Sequence, residues 1–232
     1  MTALQEFILD CENNPNFETC GLLLSNNTYY ACKNIALNQE KEFTIDPIDY
    51  VKASSIGKIV CVLHSHTIFP ERPSEQDIIS CNSGKIPWII YSILTKKLFL
   101  LNPEIYSVPL ISREYVYGVF DCWTLVKDTY KQELGIDLIY YIDPDFEWYK
   151  NGKNYFEELI EEANFIEVKD NSIKKYDVIL MQAPRSPVIN HTGVYYGNNI
   201  ILHHVIDSLS CREPYSGFWQ KITKKRLRYK GL

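Results

Sequence analysis

The five histidines of this 232-residue chain fall into two clusters, and each cluster has a spacing that could support chemistry. His64 and His66 form the first cluster, and His191, His203 and His204 form the second. Histidine binds metals and exchanges protons near neutral pH. The clustering therefore indicates two candidate sites, one in each half of the chain.

The first cluster has the spacing of a metal site. His64 and His66 stand at positions i and i+2 of a predicted strand, so their side chains project from one face. Asp77 lies in the helix predicted to follow and supplies a carboxylate, which leaves a fourth position open, as in catalytic zinc sites. Glu18, just before the apolar run 20–24, is the best-placed carboxylate to move protons.

A simpler interpretation of the same residues needs no chemistry. A His-x-His pair in a strand is common, and Ser74-x-x-Asp77 also has the pattern of a helix N-cap with an acidic third residue. The cap and the metal site are compatible, because Asp77 can follow a capping serine and still turn toward an ion.

The first half resembles the JAMM motif of MPN-domain metallopeptidases. The residues that carry the resemblance are Glu18-Thr-Cys-Gly-Leu-Leu, Phe43-Thr-Ile-Asp46 and His64-x-His66-x7-Ser74-x2-Asp77. The resemblance implies a cytidine-deaminase-like α/β domain over residues 1–108, with zinc on both histidines and Asp77. It also implies that Glu18 is the general base and that Ser74 stabilises the oxyanion.

Cys122 differs in context from the other six cysteines, most of which sit among apolar residues. The odd count and the lack of CxxC pairs disfavour a zinc ribbon or a disulfide framework and favour a reducing compartment. Cys122 lies at the first turn of a predicted helix, where the helix dipole favours a thiolate. His191, well downstream, can serve as its base. The alternative is a buried cysteine and a hydrogen-bonded histidine without chemistry.

The third member of the second cluster depends on one hairpin loop. A three-residue loop over residues 197–199 puts His203 on the face of His191. A two-residue loop over residues 198–199 shifts the register by one residue and presents His204 instead. Strand parity alone leaves the choice open.

The second half resembles the NlpC-type cell-wall peptidases, which have a papain-like α+β fold. The matching stretches are Tyr115-Val-Tyr-Gly with Phe120-Asp-Cys122, Tyr176-Asp-Val-Ile-Leu, and His191-Thr-Gly-Val-Tyr-Tyr-Gly with Leu202-His203. The resemblance implies a domain over residues 112–232 with Cys122 as nucleophile and His191 as base. It assigns the orienting role to His203, twelve residues on, and places Tyr115 near the sulfur. Trp123 departs from the Cys-Ser-Gly-Leu of many relatives and affects the shape of the substrate pocket.

Helices and strands are both predicted in each half of the chain, and they must position these residues. The boundary is predicted over residues 102–112, where two prolines occur. Beyond it, a helix at residues 121–134 ends at Gly135, and a second, acidic helix is predicted over residues 155–163. Strands are then predicted at residues 176–181, 192–196, 200–205 and 222–229. Helix first and strands afterwards favour a separate α+β domain.

The composition excludes several classes of protein. With 46% hydrophobic and 23% charged residues, the chain is neither disordered nor collagen-like. No apolar run approaches the roughly 20 residues of a membrane span, and the first residues lack a signal-peptide pattern. The mild net charge of −5 gives no reason to expect nucleic acid as a partner.

The order and compactness of the two halves resemble the lambda-type phage tail tip assembly proteins. The resemblance implies a protein made in the host cytoplasm, carried at the virion tail tip and acting on the host cell wall on entry. Its thiol site would cut peptidoglycan stem peptides, its zinc site would be a peptidase or isopeptidase, and its other partners would be tail-tip proteins. Two alternatives are a structural tail-tip component with vestigial or accessory sites and a bacterial two-domain peptidase unrelated to tails.

Overall fold

The chain divides into two compact units, Met1–Ser107 and Val108–Leu232. The computed structural model describes residues 1–104, 109–158, 160, 162–169 and 172–232. The predicted boundary at residues 102–112 and the predicted helix at residues 155–163 both include residues outside the described ones. Among the described residues, no helix is long and apolar enough to cross a membrane.

The first unit is built on a mixed five-stranded sheet with the strand order β2-β1-β3-β4-β5. The pair β3–β4 is parallel; the pairs β1–β2, β1–β3 and β4–β5 are antiparallel. In chain order the elements are α1 (Ala3–Asn13), β1 (Cys20–Leu24), β2 (Tyr29–Cys32), α2 (Pro47–Ile56), β3 (Ile59–His66), α3 (Glu75–Gly84), β4 (Trp88–Ser92) and β5 (Leu98–Leu101).

The central strand β3 carries the first histidine cluster at its carboxyl end. Its residues from Val60 to His66 are all buried, as are all five residues of β1. A strand that is covered on both faces has a continuous apolar sequence rather than an alternating one. The helix α3 connects β3 to the parallel strand β4, so the end of β3 and the start of α3 lie at the same edge of the sheet.

The second unit is built on an antiparallel six-stranded sheet with the strand order β10-β9-β8-β7-β11-β6. A 3-10 turn is also present, at Trp148–Asn151. In chain order the elements are α4 (Cys122–Leu134), α5 (Tyr155–Glu158), β6 (Phe165–Glu167), β7 (Val178–Met181), β8 (His191–Gly197), β9 (Ile200–His203), β10 (Cys211–Pro214), α6 (Phe218–Ile222) and β11 (Thr223–Tyr229).

The helix α4 begins and ends where its sequence predicts. Asp121 caps the first turn by accepting the Thr124 N–H at 2.8 Å, and Gly135 ends the helix with φ of 70°. Its apolar face, including Val126 and Tyr130, packs in the main core of the unit. The predicted fold class, an α/β domain followed by an α+β domain, is confirmed.

Candidate functional sites

The pairing of β1 with β3 brings an acid to the histidines of the first unit. Cys20 stands opposite His64 in this antiparallel pair. Two residues earlier in the same register, Glu18 lies opposite His66. Glu18 is only 4% exposed and interacts electrostatically with His66 and Asp77.

Potential ligand atoms of three residues converge at the end of β3. His64 Nε2 lies 3.2 Å from His66 Nε2. Asp77 Oδ1 lies 3.4 Å from His64 Nε2, and Asp77 Oδ2 lies 3.4 Å from His66 Nε2. A tetrahedral ion with bonds of about 2.0–2.1 Å to nitrogen and oxygen holds neighbouring ligand atoms about 3.3–3.4 Å apart. The three residues therefore fit a metal ion of the size of zinc.

Neighbouring groups orient two of these ligands. His66 Nδ1 lies 2.7 Å from the carbonyl oxygen of Pro70, to which it donates while Nε2 stays free for an ion. Asp77 Oδ2 accepts the backbone N–H and the hydroxyl of Ser74, both at 2.7 Å. The capping box of α3 is thus formed, and the same carboxylate faces both histidines. In this structure the Ser74 hydroxyl binds Asp77, and its role toward an oxyanion stays a prediction.

The ring of His64 is held by packing. It stacks on Phe43 with ring centroids 4.5 Å apart, and Trp88 meets its edge. Its Nδ1 has no hydrogen-bond partner within the described ranges. Phe43 belongs to the segment that resembles the metallopeptidase motif, and its contact shows how that segment reaches the site.

Burial governs the charges of the first site. It raises the pKa of Glu18 to about 8 and lowers that of His64 to about 3. Burial also opposes ionisation of Asp77, but hydrogen bonds with His66 and Ser74 and the electrostatic interaction with His64 lower its pKa to about 2. Asp77 is therefore ionised and Glu18 can hold or release a proton near neutral pH.

In the second unit, the start of α4 lies against the start of β8. Asp121 is the N-cap, so Cys122 is the first helical residue, and its sulfur accepts the backbone N–H of Thr192. Burial and the charge of Asp121 raise the pKa of Cys122 to about 12 and outweigh the N–H groups around the sulfur. The structure thus favours a resting thiol over the thiolate expected from the helix dipole.

The base beside this thiol is paired with a second ring. His191 Nε2 lies 3.1 Å from His203 Nδ1. Burial lowers the pKa of His191 to about 3, with the neighbouring His203 adding to the shift. His191 is therefore neutral at rest, and its Nδ1 is the nitrogen left to act on Cys122.

The hairpin between β8 and β9 decides which histidine meets His191. Asn198-Asn199 forms a two-residue turn with φ of 49° and 59°, so the three-residue loop, which agrees with the twelve-residue step from His191 to His203, is not the loop that forms. A bulge at Tyr196 shifts the register back, and Gly193 pairs with His203. The structure thus places His203 on the face of His191.

Gly193 leaves room for this contact. A Cβ atom on Gly193 would lie 2.8 Å from the carbonyl oxygen of Leu202 and 2.9 Å from the Cβ of His203. Distances this short do not occur between real atoms of these types. The glycine in His191-Thr-Gly193 therefore lets His203 pack against the base.

His204 takes a different place. Its Nε2 lies 3.1 Å from the carbonyl oxygen of Ser208, and its ring meets the edge of Tyr115 at 5.1 Å. Tyr115 in turn interacts with the charges of Asp121 and Cys122. His204 is thus buried next to the site but does not contact the base in place of His203.

A cavity of about 330 Å³ opens beside Cys122 and His191. Trp123 forms part of its wall, and its indole N–H donates to the carbonyl oxygen of Ile139 at 3.2 Å. The bulky residue after the cysteine thus contributes to the pocket. The rest of the wall is mainly aromatic and includes Tyr117, Tyr141, Phe146, Trp148, Tyr155, Phe156, Phe218 and Trp219.

Two further residues near His203 are not among the predicted ones. Cys211 Sγ lies 3.9 Å and Glu213 Oε2 lies 3.7 Å from His203 Nε2. In the sequence, the only indication of this grouping is that Cys211 and Glu213 stand at positions i and i+2, which places both side chains on one face of a strand. It is weak because the strand β10 has only four residues.

The sequence is similar to known proteins over both units. A model of the NlpC/P60 family matches residues 112–228, and a model of prokaryotic homologs of the JAB domain matches residues 2–102. Tail tip assembly protein K of Escherichia phage N15 is 34% identical over 220 residues, 93% of this chain and 89% of that protein. The protein of the same name from Escherichia phage lambda is 31% identical over 190 residues, 80% of this chain and 89% of that protein. A crystal structure of an NlpC/P60 family protein from Bacillus cereus overlaps 97% of this chain and 66% of its own at 11% identity, with a TM-score of 0.36.

Proposed function

Because this chain belongs to the phage tail tip assembly proteins K, with a JAB-type domain followed by an NlpC/P60 domain, we propose that its thiol site cleaves peptidoglycan stem peptides. The family membership confirms the resemblance inferred from the order of the two halves. It makes the chain a tail tip assembly protein with domains of the peptidase type. The reactions at the two sites are the part that we propose.

The contact of 3.1 Å between His191 Nε2 and His203 Nδ1, together with the cavity that both His191 and Cys122 line, carries the proposal. A thiol peptidase needs a nucleophile, a base and a group that fixes the tautomer of the base. When His203 Nδ1 accepts the N–H of His191, the lone pair of His191 lies on Nδ1. This nitrogen can then take the thiol proton of Cys122.

The reaction then follows from these positions. As the Cys122 proton moves to His191 Nδ1, the sulfur attacks the carbonyl carbon of the peptide bond. His191 returns the proton to the leaving amine, which leaves an acyl group on the sulfur. Water hydrolyses this thioester with His191 again as base. Since Cys122 and His191 are both neutral at rest, each attack includes a proton transfer.

The test is the release of stem-peptide fragments from isolated peptidoglycan by the full chain. Cys122→Ala is expected to abolish release, because no other group replaces the nucleophile. Cys32→Ala, a half-buried cysteine of the first unit, is the matched control and keeps it. Release that continues in Cys122→Ala refutes the thiol mechanism. No release by the unaltered chain would favour the structural tail-tip component with a vestigial site.

We also propose that His64, His66 and Asp77 bind zinc, on the strength of their three interatomic distances of 3.2–3.4 Å. Zinc bound there would act as a Lewis acid and lower the pKa of water. Ser74 holds the carboxylate of Asp77 in place. Glu18, whose pKa is raised to about 8 by burial, would accept and return protons during hydrolysis of a peptide or isopeptide bond.

Metal analysis tests this second site. The double variant His64→Ala/His66→Ala is expected to bind about one equivalent of zinc less than the unaltered chain. Equal zinc content in the two proteins would leave the helix cap as the only role of the Ser74–Asp77 pair.

The remaining proposals concern where the protein acts and what it contacts. Following the names of its relatives, we place the chain at the virion tail tip, among other tail proteins, after synthesis in the host cytoplasm. Its substrate is the host cell wall on entry, and its partners do not include nucleic acid. Detection of the chain in purified particles by mass spectrometry checks the first of these points.

A further inference from the structure

A second group of metal-binding atoms surrounds the outer nitrogen of His203. Cys211 stands directly opposite His203 in the β9–β10 pair, and Glu213, two residues on, projects from the same face. Cys211 Sγ lies 3.9 Å and Glu213 Oε2 lies 3.7 Å from His203 Nε2. Cys211 Sγ also lies 3.7 Å from Glu213 Oε1. The indole N–H of Trp219 donates to Glu213 Oε2 at 2.7 Å and holds the carboxylate in this position.

This donor set suits a soft divalent cation. Zinc binds thiolate at about 2.3 Å and imidazole at about 2.0–2.1 Å, which places the sulfur and nitrogen of a tetrahedral site about 3.5 Å apart. The distances of 3.7–3.9 Å need only a small contraction. A cation also relieves the repulsion between a thiolate and the Glu213 carboxylate.

An ion can reach these atoms from solvent. The strand β10 is an edge strand of the sheet, and the side chain of Glu213 is 45% exposed. Cys211 is half-buried, while His203 is fully buried. The group thus has an open side and one rigid ligand, as expected for a site that gains and loses its ion.

We propose that His203, Cys211 and Glu213 bind a zinc-like divalent cation, and that this binding switches off the thiol site. The binding part stands on its own, and the switching part rests on the proposed thiol peptidase function. Cys211 binds as the thiolate and releases its proton to solvent.

The switch follows from the two nitrogens of His203. In the tautomer that the proposed mechanism requires, His203 carries its proton on Nε2, which lies 3.7 Å from Glu213 Oε2, and its Nδ1 accepts the N–H of His191. An ion bound at Nε2 moves the proton of His203 to Nδ1, which then donates to His191 Nε2. The proton of His191 must then lie on Nδ1. In that tautomer His191 cannot take the proton of Cys122.

Binding is tested in the full chain with the background His64→Ala/His66→Ala, so that the first site takes up no metal. Co²⁺ is the probe, because a thiolate ligand gives it a charge-transfer absorption band. We expect saturation at about one equivalent. The band is lost in Cys211→Ser and retained in Cys122→Ser. Glu213→Gln, which leaves both other ligands, weakens the apparent affinity about 10-fold or more.

The switch is tested by adding Zn²⁺ to the same background protein. ¹⁵N NMR of the histidine rings is expected to show His191 changing from the Nε2–H to the Nδ1–H tautomer. Release of stem-peptide fragments falls with the same saturation curve, and Cys211→Ser keeps its activity at that Zn²⁺ concentration.

Three results overturn the proposal: no thiolate band, a band lost in Cys122→Ser rather than in Cys211→Ser, or an unchanged tautomer of His191. The second result would mean that the ion binds the nucleophile itself. If no variant cleaves peptidoglycan, the proposed function fails, but the absorption band and the NMR tautomer still decide whether this site binds metal.

Discussion

The two units build their sites from the same parts in two different arrangements. In the first unit, β3 supplies two histidines and the start of α3 supplies Asp77, and neighbouring nitrogen and oxygen atoms of these three residues lie 3.2–3.4 Å apart. In the second unit, the start of α4 supplies Cys122, and His191 and His203 follow one behind the other. The converging atoms of the first unit are arranged to bind an ion. The sequence of cysteine, base and orienting histidine in the second unit is arranged to transfer a proton.

The first site contains a buried charge, whereas the proposed nucleophile and base of the second site are both uncharged at rest. Asp77 is kept ionised, with its pKa lowered to about 2, and only a cation balances such a buried charge well. Cys122 and His191 are both neutral, with pKa values shifted by burial to about 12 and about 3. The first site therefore depends on an ion, whereas the second depends on which ring nitrogen carries a proton.

Among the variants that test this difference between the two sites, the largest loss of activity is expected for His203→Ala. His203→Ala removes the group that fixes the tautomer of His191, and loss of an orienting group costs up to about 10⁴-fold in turnover. His204→Ala is expected to keep cleavage, because the Nε2 of His204 binds the carbonyl oxygen of Ser208 and it is His203 that binds the ring of His191. Fragment release and thermal stability are measured for both variants. If His204→Ala loses activity while His203→Ala keeps it, His203 is not the residue that orients His191.

The corresponding change in the first unit is Glu18→Gln. It is expected to lower metal-dependent hydrolysis about 10²- to 10⁴-fold, because the amide cannot accept a proton. The zinc content is expected to stay unchanged, because Glu18 is not one of the three proposed zinc ligands. Glu42→Gln, an exposed acid that interacts with Glu18, is the matched control. A fall in zinc content with Glu18→Gln would make Glu18 a ligand instead.

Gly193→Ala tests how tightly the second site is packed. The added Cβ meets the backbone of Leu202 and the Cβ of His203, and overpacking of this kind costs about 1–3 kcal/mol. We expect a lower melting temperature and slower fragment release, with zinc binding of the first unit unchanged. Gly84→Ala, at a glycine with open space around it, serves as control and is expected to be neutral or slightly stabilising. Unchanged cleavage in Gly193→Ala would show that the contact of the two rings is not critical.

The smallest effect is expected at Ser74. Ser74→Ala removes the N-cap of α3 and is expected to lower the free energy of unfolding by about 1 kcal/mol. It also removes the hydroxyl that holds the Asp77 carboxylate, so we expect the zinc affinity to fall about 10-fold. Ser80→Ala in the same helix is the control. Competition with a zinc-binding dye measures the affinity. Unchanged affinity together with lost hydrolysis would favour the oxyanion role over the positioning of Asp77.

The sequence predicts the residues that the structure brings together in each unit because most of them lie at the end of a strongly patterned element. The apolar run before His64 and the capping pattern of Ser74-x-x-Asp77 are local signals. Loop length alone could not select His203, since the bulge at Tyr196 offsets the two-residue turn and returns His203 to the face of His191. A bulge depends on the backbone of both strands, and no local pattern predicts it here.

Other features depend on contacts that are distant in sequence. The raised pKa of Cys122 results from burial, which comes from packing that the helix pattern alone does not reveal. Cys211 and Glu213 were missed because their strand is short and lies at the edge of the sheet. Their relation to His203 appears only in the register of β9 and β10.

The most direct test of two independent sites is fragment release from isolated peptidoglycan by the unaltered chain after all metal has been removed with a chelator. The account predicts that release continues at the same or a higher rate and stops when Cys122 is alkylated. Release that stops on metal removal, returns with added zinc and survives alkylation would contradict it, because cleavage would then belong to the first site.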